Sequence, residues 1–295
     1  MSTRTVWIVV PVFEREDSLE KFVSCLKYQT HQNYKLVVVD HGKRSLQIAL
    51  NDPRVEIIRG SHKMWWTAAI NRGIRHVLKD RSVKAETPVL IQNDDVVFGQ
   101  DYISTLLEDW EGRKDSIVGS LCLDNDTHKI IRANIILEES KGNLKYFYRG
   151  KDLSSITSNG PLGSDVLTGR GTLIPASVFW EVGLYNERLL PHYRADNELI
   201  YRAKKKGYRI MVSTRAIVYS RLDSHYKLKN NLASKYKYLF DRKSLYNIKD
   251  LFFYSYLCFD LAYGTYFFKE NLKRNIRRLT AESASYKKST KGLQK

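Results

Sequence analysis

With 295 residues, 43% of them hydrophobic and 27% charged, the chain can build one sizeable core plus an appendage, which excludes a disordered or fibrous protein. Cys25, Cys122 and Cys258 fit no metal-ligand spacing and read as reduced thiols of a cytosolic protein, and the start of the chain carries no signal-peptide pattern. The formal charge of +17 is uneven: residues 221–295 hold 17 Lys and Arg against 6 Asp and Glu, a net +11, which suits nucleic acid, an anionic membrane face or simple solubility.

In chain order, residues 5–10 predict a buried strand ended by Pro11. Leu19, Phe22, Val23 and Leu26 recur at helical spacing, which predicts a helix over 18–29 with Ser18 as N-cap. Strands follow at 34–39 and 55–58, a helix at 67–78 and a strand at 89–92. Strands alternating with helices predict parallel βαβ units, and the continuous apolar runs predict a sheet covered on both faces. Beyond residue 100 the pattern predicts a helix at 102–110, strands at 117–123 and 130–137, and a long polar excursion over 139–165. Residues 167–175 lead into a short helix at 176–182, and a further helix at 196–206 precedes short strands at 208–212 and 217–219. From residue 226 aromatics interleave with Lys and Arg. The run from Leu251 to Phe268 contains Asp260, Gly264 and several tyrosines, a poor composition for a membrane-spanning helix. It suits a helix lying in a membrane surface, or equally one packed on the core with wet hydroxyls.

The chemistry concentrates at Asn93-Asp94-Asp95, between the apolar runs 88–92 and 96–98. Adjacent carboxylates at the end of a buried strand are costly unless a cation or hydrogen-bond donors offset them, and a hard divalent cation is the usual solution. Ligands of open α/β sheets also bind at the carboxyl ends of strands. Asn and Asp favour turns without any function, so further features have to weigh in. Pro11-Val12-Phe13-Glu14-Arg15 follows the first strand and Asp40 ends the second. Later come Thr168-Gly169-Arg170-Gly171-Thr172 and His192-Tyr193-Arg194-Ala195-Asp196-Asn197-Glu198, the latter opening a helix.

In order and spacing these motifs resemble glycosyltransferase family 2, with its nucleotide-binding GT-A fold, over about residues 5–220. They look nearest to the bacterial surface-polysaccharide branch described as rhamnosyltransferase-like. The resemblance implies an α/β fold with a mixed, mainly parallel central sheet covered by helices. That domain would occupy residues 1–225, with a basic, aromatic helical extension at 226–295. It further implies that Pro11, Phe13 and Glu14 line a base and ribose pocket and that Asp40 bonds the base or ribose. Lys63, Trp65, Trp66 and Asn71 would shape the nucleotide-sugar pocket. Asp95 would be the main metal ligand and Asp94 a contact to ribose or, through water, to the metal; Asn93 stands where the family more often has an Asp. Gly169, Arg170 and Gly171 would floor the sugar-phosphate site, glycine for close approach and arginine for phosphate charge. Asp196 would be the catalytic base, with Glu198 orienting it or supporting the helix start. Where the family often has a late His, this chain has Ser220, and His225 is the nearest candidate ligand.

The implied activity is inverting transfer of a sugar from a nucleotide-sugar donor, with Mg²⁺ or Mn²⁺, to a hydroxyl of a polyprenyl-diphosphate-linked saccharide. The implied setting is surface-polysaccharide synthesis (O-antigen, capsule or wall) on the cytoplasmic face of the plasma membrane, with the basic tail on the anionic leaflet. A nucleotidyltransferase is the alternative enzyme, although Pro11 to Arg15 is not the Gly-rich basic loop it would need. A nucleic-acid-binding protein is disfavoured by the buried acidic motifs.

Overall fold

The computed structural model describes residues 4–48, 52–111, 115–221 and 231–291. Strands β1 (Val6–Val12), β2 (Tyr34–Asp40), β3 (Val55–Arg59) and β4 (Pro88–Ile91) lie parallel in the order β3-β2-β1-β4. Helices α1 (Glu16–Lys27) and α2 (Trp66–Val77) connect them. The second half adds β5 (Val96–Phe98), α3 (Tyr102–Glu111), β6 (Ser116–Asp124), β7 (Ile130–Arg132), β8 (Ile135–Glu138), β9 (Asn143–Tyr146), β10 (Leu162–Gly163) and β11 (Thr172–Pro175). Helices α4 (Ala176–Glu181) and α5 (Ala195–Lys205) and strand β12 (Arg209–Ser220) follow. The main sheet runs β10-β12-β6-β11-β4-β1-β2-β3. Strand β11 is antiparallel to both neighbours, so β3, β2, β1, β4, β6 and β12 share one direction. The expected mixed, mainly parallel α/β sheet is present.

The period-two alternation of β1 decides the two core layers. Val6, Ile8, Val10 and Val12 pack with Leu19, Phe22, Val23 and Leu26 of α1 and with Ile103, Leu106 and Leu107 of α3. Trp7 and Val9 face the other way, onto Ala69, Ile70, Ile74 and Val77 of α2. Both faces are therefore covered, which is why the strands read as unbroken apolar runs.

Four local expectations change. Helix α1 begins at Glu16 rather than Ser18, because Glu16 and Asp17 complement the positive helix start. The run 130–137 is divided between β7 in the main sheet and β8, which forms a separate hairpin with β9. The excursion over 139–165 thus carries β9 and β10 and is not a bare loop. The two short strands at 208–219 are one strand, β12, whose register shifts between Val212 and Ile217. There Ser213 Oγ accepts the N–H groups of Arg215 and Ala216 at 3.1 and 2.8 Å, replacing ladder bonds locally.

The C-terminal extension forms α6 (Leu232–Phe240), α7 (Ile248–Cys258) and α8 (Leu261–Lys291). The aromatic run is broken between α7 and α8, where Asp260 Oδ1 accepts the N–H of Tyr263 at 2.9 Å. Leu251, Tyr254, Cys258 and Phe267 join the same core layer as Trp7 and Val9. Phe259 packs edge-on against Tyr201 of α5, ring centres 5.1 Å apart. Helix α8 also holds the β8–β9 hairpin: the Tyr263 and Tyr266 hydroxyls donate to the carbonyls of Glu139 and Ser140 at 3.1 and 2.7 Å. No helix among the described residues is long and apolar enough to cross a membrane. Each fully buried large side chain contributes about 1.5–3 kcal/mol, so stripping Leu251, Tyr254 and Phe267 removes several kcal/mol from a typical total of about 5–15 kcal/mol. Deleting residues 231–295 should therefore lower the urea midpoint sharply or yield insoluble protein. A deletion that unfolds at the full-length midpoint would contradict this.

Candidate active site

The parallel order β2-β1-β4 brings the carboxyl ends of three strands side by side, and the loops there carry the acids. Pro11 is buried in β1, whereas Phe13 is exposed at the rim with its ring 5.3 Å from that of His41. Glu14 adopts φ +53, a left-handed conformation rare outside glycine, and its Oε1 accepts the N–H of Lys43 at 3.0 Å. Asp40 is buried at the end of β2. Its oxygens accept the N–H groups of Gly42 and Leu46 at 3.1 and 3.0 Å, and Arg59 pairs with it at 2.6 Å. Asp40 thus closes the 40–46 loop, the turn-carboxylate role open to any Asp. Between this loop and residues 14–18 opens a cleft of about 740 Å³, within the size range of small-molecule sites.

Arg15, on the wall of that cleft, reaches across to the β4 end. Its guanidinium lies 2.7 Å from Asp94 and 3.4 Å from Asp95. Arg15 is a site residue to which the sequence motif assigned no role; its signal was its place after β1, the neighbour of β4. Burial pushes the Asp94 carboxyl up to about 7; Arg15 opposes this and Asp95 adds to it. Asp94 Oδ2 and Asp95 Oδ1 are buried and accept no hydrogen bond. Unsatisfied carboxylate oxygens beside each other suit a hard divalent cation, so the residues fit the implied metal. Among the described residues no three His, Cys, Asp or Glu converge as a complete cation site, so remaining ligands would have to come from elsewhere. Ser220, at the end of β12, pairs with Val96 of β5, directly beyond Asp95. The chain therefore runs past the acidic motif where the late His was expected, while His225 lies outside the described residues.

Asn93 starts a connected path across the site. Trp66, at the start of α2, donates its indole N–H to Asn93 Oδ1 at 2.9 Å. The six-membered ring of Trp66 lies against Gly169, where a Cβ would sit 2.6 Å from Cζ2, so only glycine allows this approach. Gly169 in turn donates its N–H to Asp196 Oδ2 at 3.1 Å, and Asn197 N–H donates to Asp196 Oδ1 at 2.8 Å. Asp196 stands in the first turn of α5, yet burial raises its carboxyl above the usual range, against those two donors and the charges of Arg170 and Arg132. Gly171 adopts φ +83, and a Cβ there would lie 2.3 Å from both Ser120 Oγ and Tyr102 Oη. Left-handed strain of about 1–2 kcal/mol and overpacking of about 1–3 kcal/mol add up. Gly171→Ala should thus cost about 2–5 kcal/mol in urea unfolding; an unchanged midpoint would contradict this packing.

Other candidates serve the frame. Asn71 departs from its expected place in the pocket: its amide is buried and wholly engaged, donating to Tyr185 O and Glu187 Oε2 and accepting Tyr185 N–H. It ties α2 to the loop before α5. Glu198 pairs bidentately with Arg202, at 2.8 and 2.9 Å, and supports the helix rather than touching Asp196. Lys63 is exposed in the loop before α2. Trp65 meets His192 with ring centres 5.7 Å apart and takes Arg242 of the extension over its face at 5.9 Å. Arg194, at φ +68 just before α5, lies 5.6 Å over the ring of Tyr254 in α7. The extension thus braces the loop that presents Asp196.

Residues 7–164 match the family model described as "Glycosyl transferase family 2". No curated protein matches the chain. Among solved structures the chain is similar to GalNAc-T7 with UDP, GalNAc and Mn²⁺ (TM-score 0.59, 15% identity, 96% of this chain and 58% of that one). It is also similar to the mannosyltransferase PcManGT from Pyrobaculum calidifontis in complex with GDP-Man and Mn²⁺ (0.60, 13%, 97% and 75%). A third is residues 1–349 of TarS from S. aureus (0.56, 10%, 92% and 72%). The chain therefore spans only 58% of the GalNAc-T7 chain, and at such identities the likeness concerns the fold, which is GT-A. With the family model covering more than half of the sequence, the chain belongs to glycosyl transferase family 2.

Proposed function

We propose that this protein is an inverting, metal-dependent glycosyltransferase. It moves a sugar from a nucleotide-sugar donor to a hydroxyl of a polyprenyl-diphosphate-linked saccharide in bacterial surface-polysaccharide synthesis, in the rhamnosyltransferase-like branch. The observation that carries this reading is the path Asn93–Trp66–Gly169–Asp196, which links the half-buried Asp196 carboxylate to the acidic motif through successive contacts. Solved relatives of the same fold hold UDP or GDP-Man together with Mn²⁺, which supports the donor class and the cation.

The residues divide the work. The cleft between residues 14–18 and 43–46 takes the nucleoside. Asp95 and Asp94 would hold Mg²⁺ or Mn²⁺, which supplies positive charge to a diphosphate leaving group. Arg170 adds fixed charge beside it. Asp196 accepts the proton of the attacking acceptor hydroxyl, and Gly169 N–H fixes its orientation. One base and a single in-line displacement invert the anomeric centre. The test is the anomeric configuration of the product by NMR with an α-linked donor: a β-linked product supports the reading, and an α-linked product overturns it.

The site of action in this reading is the cytoplasmic leaflet. Leu232, Tyr236 and Phe240 of α6, Phe252 and Leu257 of α7 and Leu261 of α8 are exposed, on the most basic part of the chain. Exposed apolar rings among Lys and Arg suit an anionic interface, at about 1 kcal/mol per basic residue near the surface. Full-length protein should sediment with anionic vesicles and be released by salt, and Tyr236→Ser with Phe240→Ser should reduce the bound fraction. Failure of the intact protein to bind at low salt would leave α6–α8 as packing elements alone.

A further inference from the structure

The excursion between β6 and β11 brings two arginines onto one aromatic ring. The guanidinium of Arg132 lies 4.9 Å from the ring centre of Tyr146, and that of Arg149 lies 5.9 Å from the same centre. Two cations thus share one aromatic ring, an arrangement that stacking favours and charge repulsion opposes. The acids nearby are taken by other cations. Asp152 pairs with Lys129, Glu138 with Lys141 and Lys145, and Asp165 with Lys204. Neither Arg132 nor Arg149 makes an ion pair among the described residues. Burial holds Arg132 below its usual range, and the charges of Arg149 and Arg170 push in the same direction. Lys145 and Lys151 stack on Phe147 and Tyr148, so residues 145–151 present aromatics and cations in turn.

Asp196 feels the charges of Arg170 and Arg132, and Arg132 pairs across β6 and β7 with Cys122, on the strand whose Ser120 hydroxyl donates to the Gly171 carbonyl two residues from the Gly169 that holds Asp196. As the base, Asp196 must stay free to take a proton, so it cannot serve as their permanent counterion. We propose that Arg132 and Arg149, stacked on Tyr146 next to Arg170, form an oxyanion subsite on the Asp196 side of the cleft that holds a phosphate group of the acceptor. This deepens the sugar-transfer reading and rests on it for the word acceptor. Guanidinium forks match phosphate bidentately, and the interleaved rings offer faces to the adjoining sugars. Placed there, a phosphate-bearing acceptor is positioned for its hydroxyl to reach Asp196.

The probe is inorganic phosphate, read by thermal unfolding at constant ionic strength, first alone and then with saturating UDP or GDP and Mg²⁺. The proposal expects phosphate to raise the unfolding temperature further when nucleotide is bound, and Arg149→Gln to weaken phosphate by about tenfold or more, as for loss of a charge-assisted hydrogen bond. Arg132→Gln should act in the same way; because Arg149 is exposed, its variant carries the test should Arg132→Gln not fold. Phosphate that competes with the nucleotide belongs to the donor diphosphate site and overturns the proposal. So does an equal response in Arg149→Gln, or no response in wild type. Failure of the nucleotide arm alone counts against the sugar-transfer reading, while the phosphate-only arm still decides the subsite.

Discussion

Asp95→Ala should lower sugar transfer by about 10³-fold or more, because a cation at a developing diphosphate charge contributes several kcal/mol. The variant should remain folded. Asp95 is half-buried beside Asp94, and its charge is one of the causes that push Asp94 up to about 7. Removing it relieves repulsion between neighbouring carboxylates and leaves Arg15 to pair with Asp94 at 2.7 Å. Circular dichroism should therefore match wild type while turnover collapses, and wild type should collapse likewise in excess chelator. Undiminished turnover in chelator would remove the metal from the mechanism.

Asp196→Asn should keep nucleotide binding and lose transfer by about 10²–10⁴-fold, the range for loss of a general base. The amide preserves shape, and its oxygen can still accept one of the two N–H groups that the carboxylate accepts, from Gly169 or Asn197, so the variant should fold with at most a small loss of stability. The pH dependence follows from the direction of the Asp196 shift. Burial raises the carboxyl, and a base works only when ionised, so the acidic limb of kcat/KM should lie above the ordinary carboxylate range. Arg132 and Arg170 oppose that rise, and Arg132→Gln should move the limb higher still. A variant that transfers sugar at the wild-type rate, or a limb at the position of a free Asp, would exclude Asp196 as the base.

The sequence made the sheet legible because its signals are local. The unbroken run of β1 implies two covered faces, and the helical spacing in α1 and α2 implies the covers. The acidic motif announced itself through cost, two carboxylates after a buried strand. What escaped depends on which strands become neighbours. Arg15 meets Asp94 because β1 lies beside β4, and Trp66 meets Asn93 and Gly169 because α2 packs over that junction. Asn71 looked like a pocket residue, but its amide is spent on a loop more than a hundred residues away. The aromatic run 251–268 was ambiguous for a physical reason: tyrosine and phenylalanine bury against a core as readily as at a membrane surface. Tertiary packing divides the run, with Tyr254 and Phe267 inward and Phe252 and Leu257 outward.

The most direct measurement is a thermal-unfolding screen of nucleotide sugars with the full-length protein, with and without Mn²⁺. A ligand that binds only the native state stabilises it by about 2.7 kcal/mol at a hundredfold excess over Kd. At least one nucleotide sugar should raise the unfolding temperature of wild type with Mn²⁺, and the rise should vanish in chelator and in Asp95→Ala. A wild-type protein that responds to no nucleotide sugar, or responds equally in chelator, would contradict a metal-dependent donor site at Asn93-Asp94-Asp95.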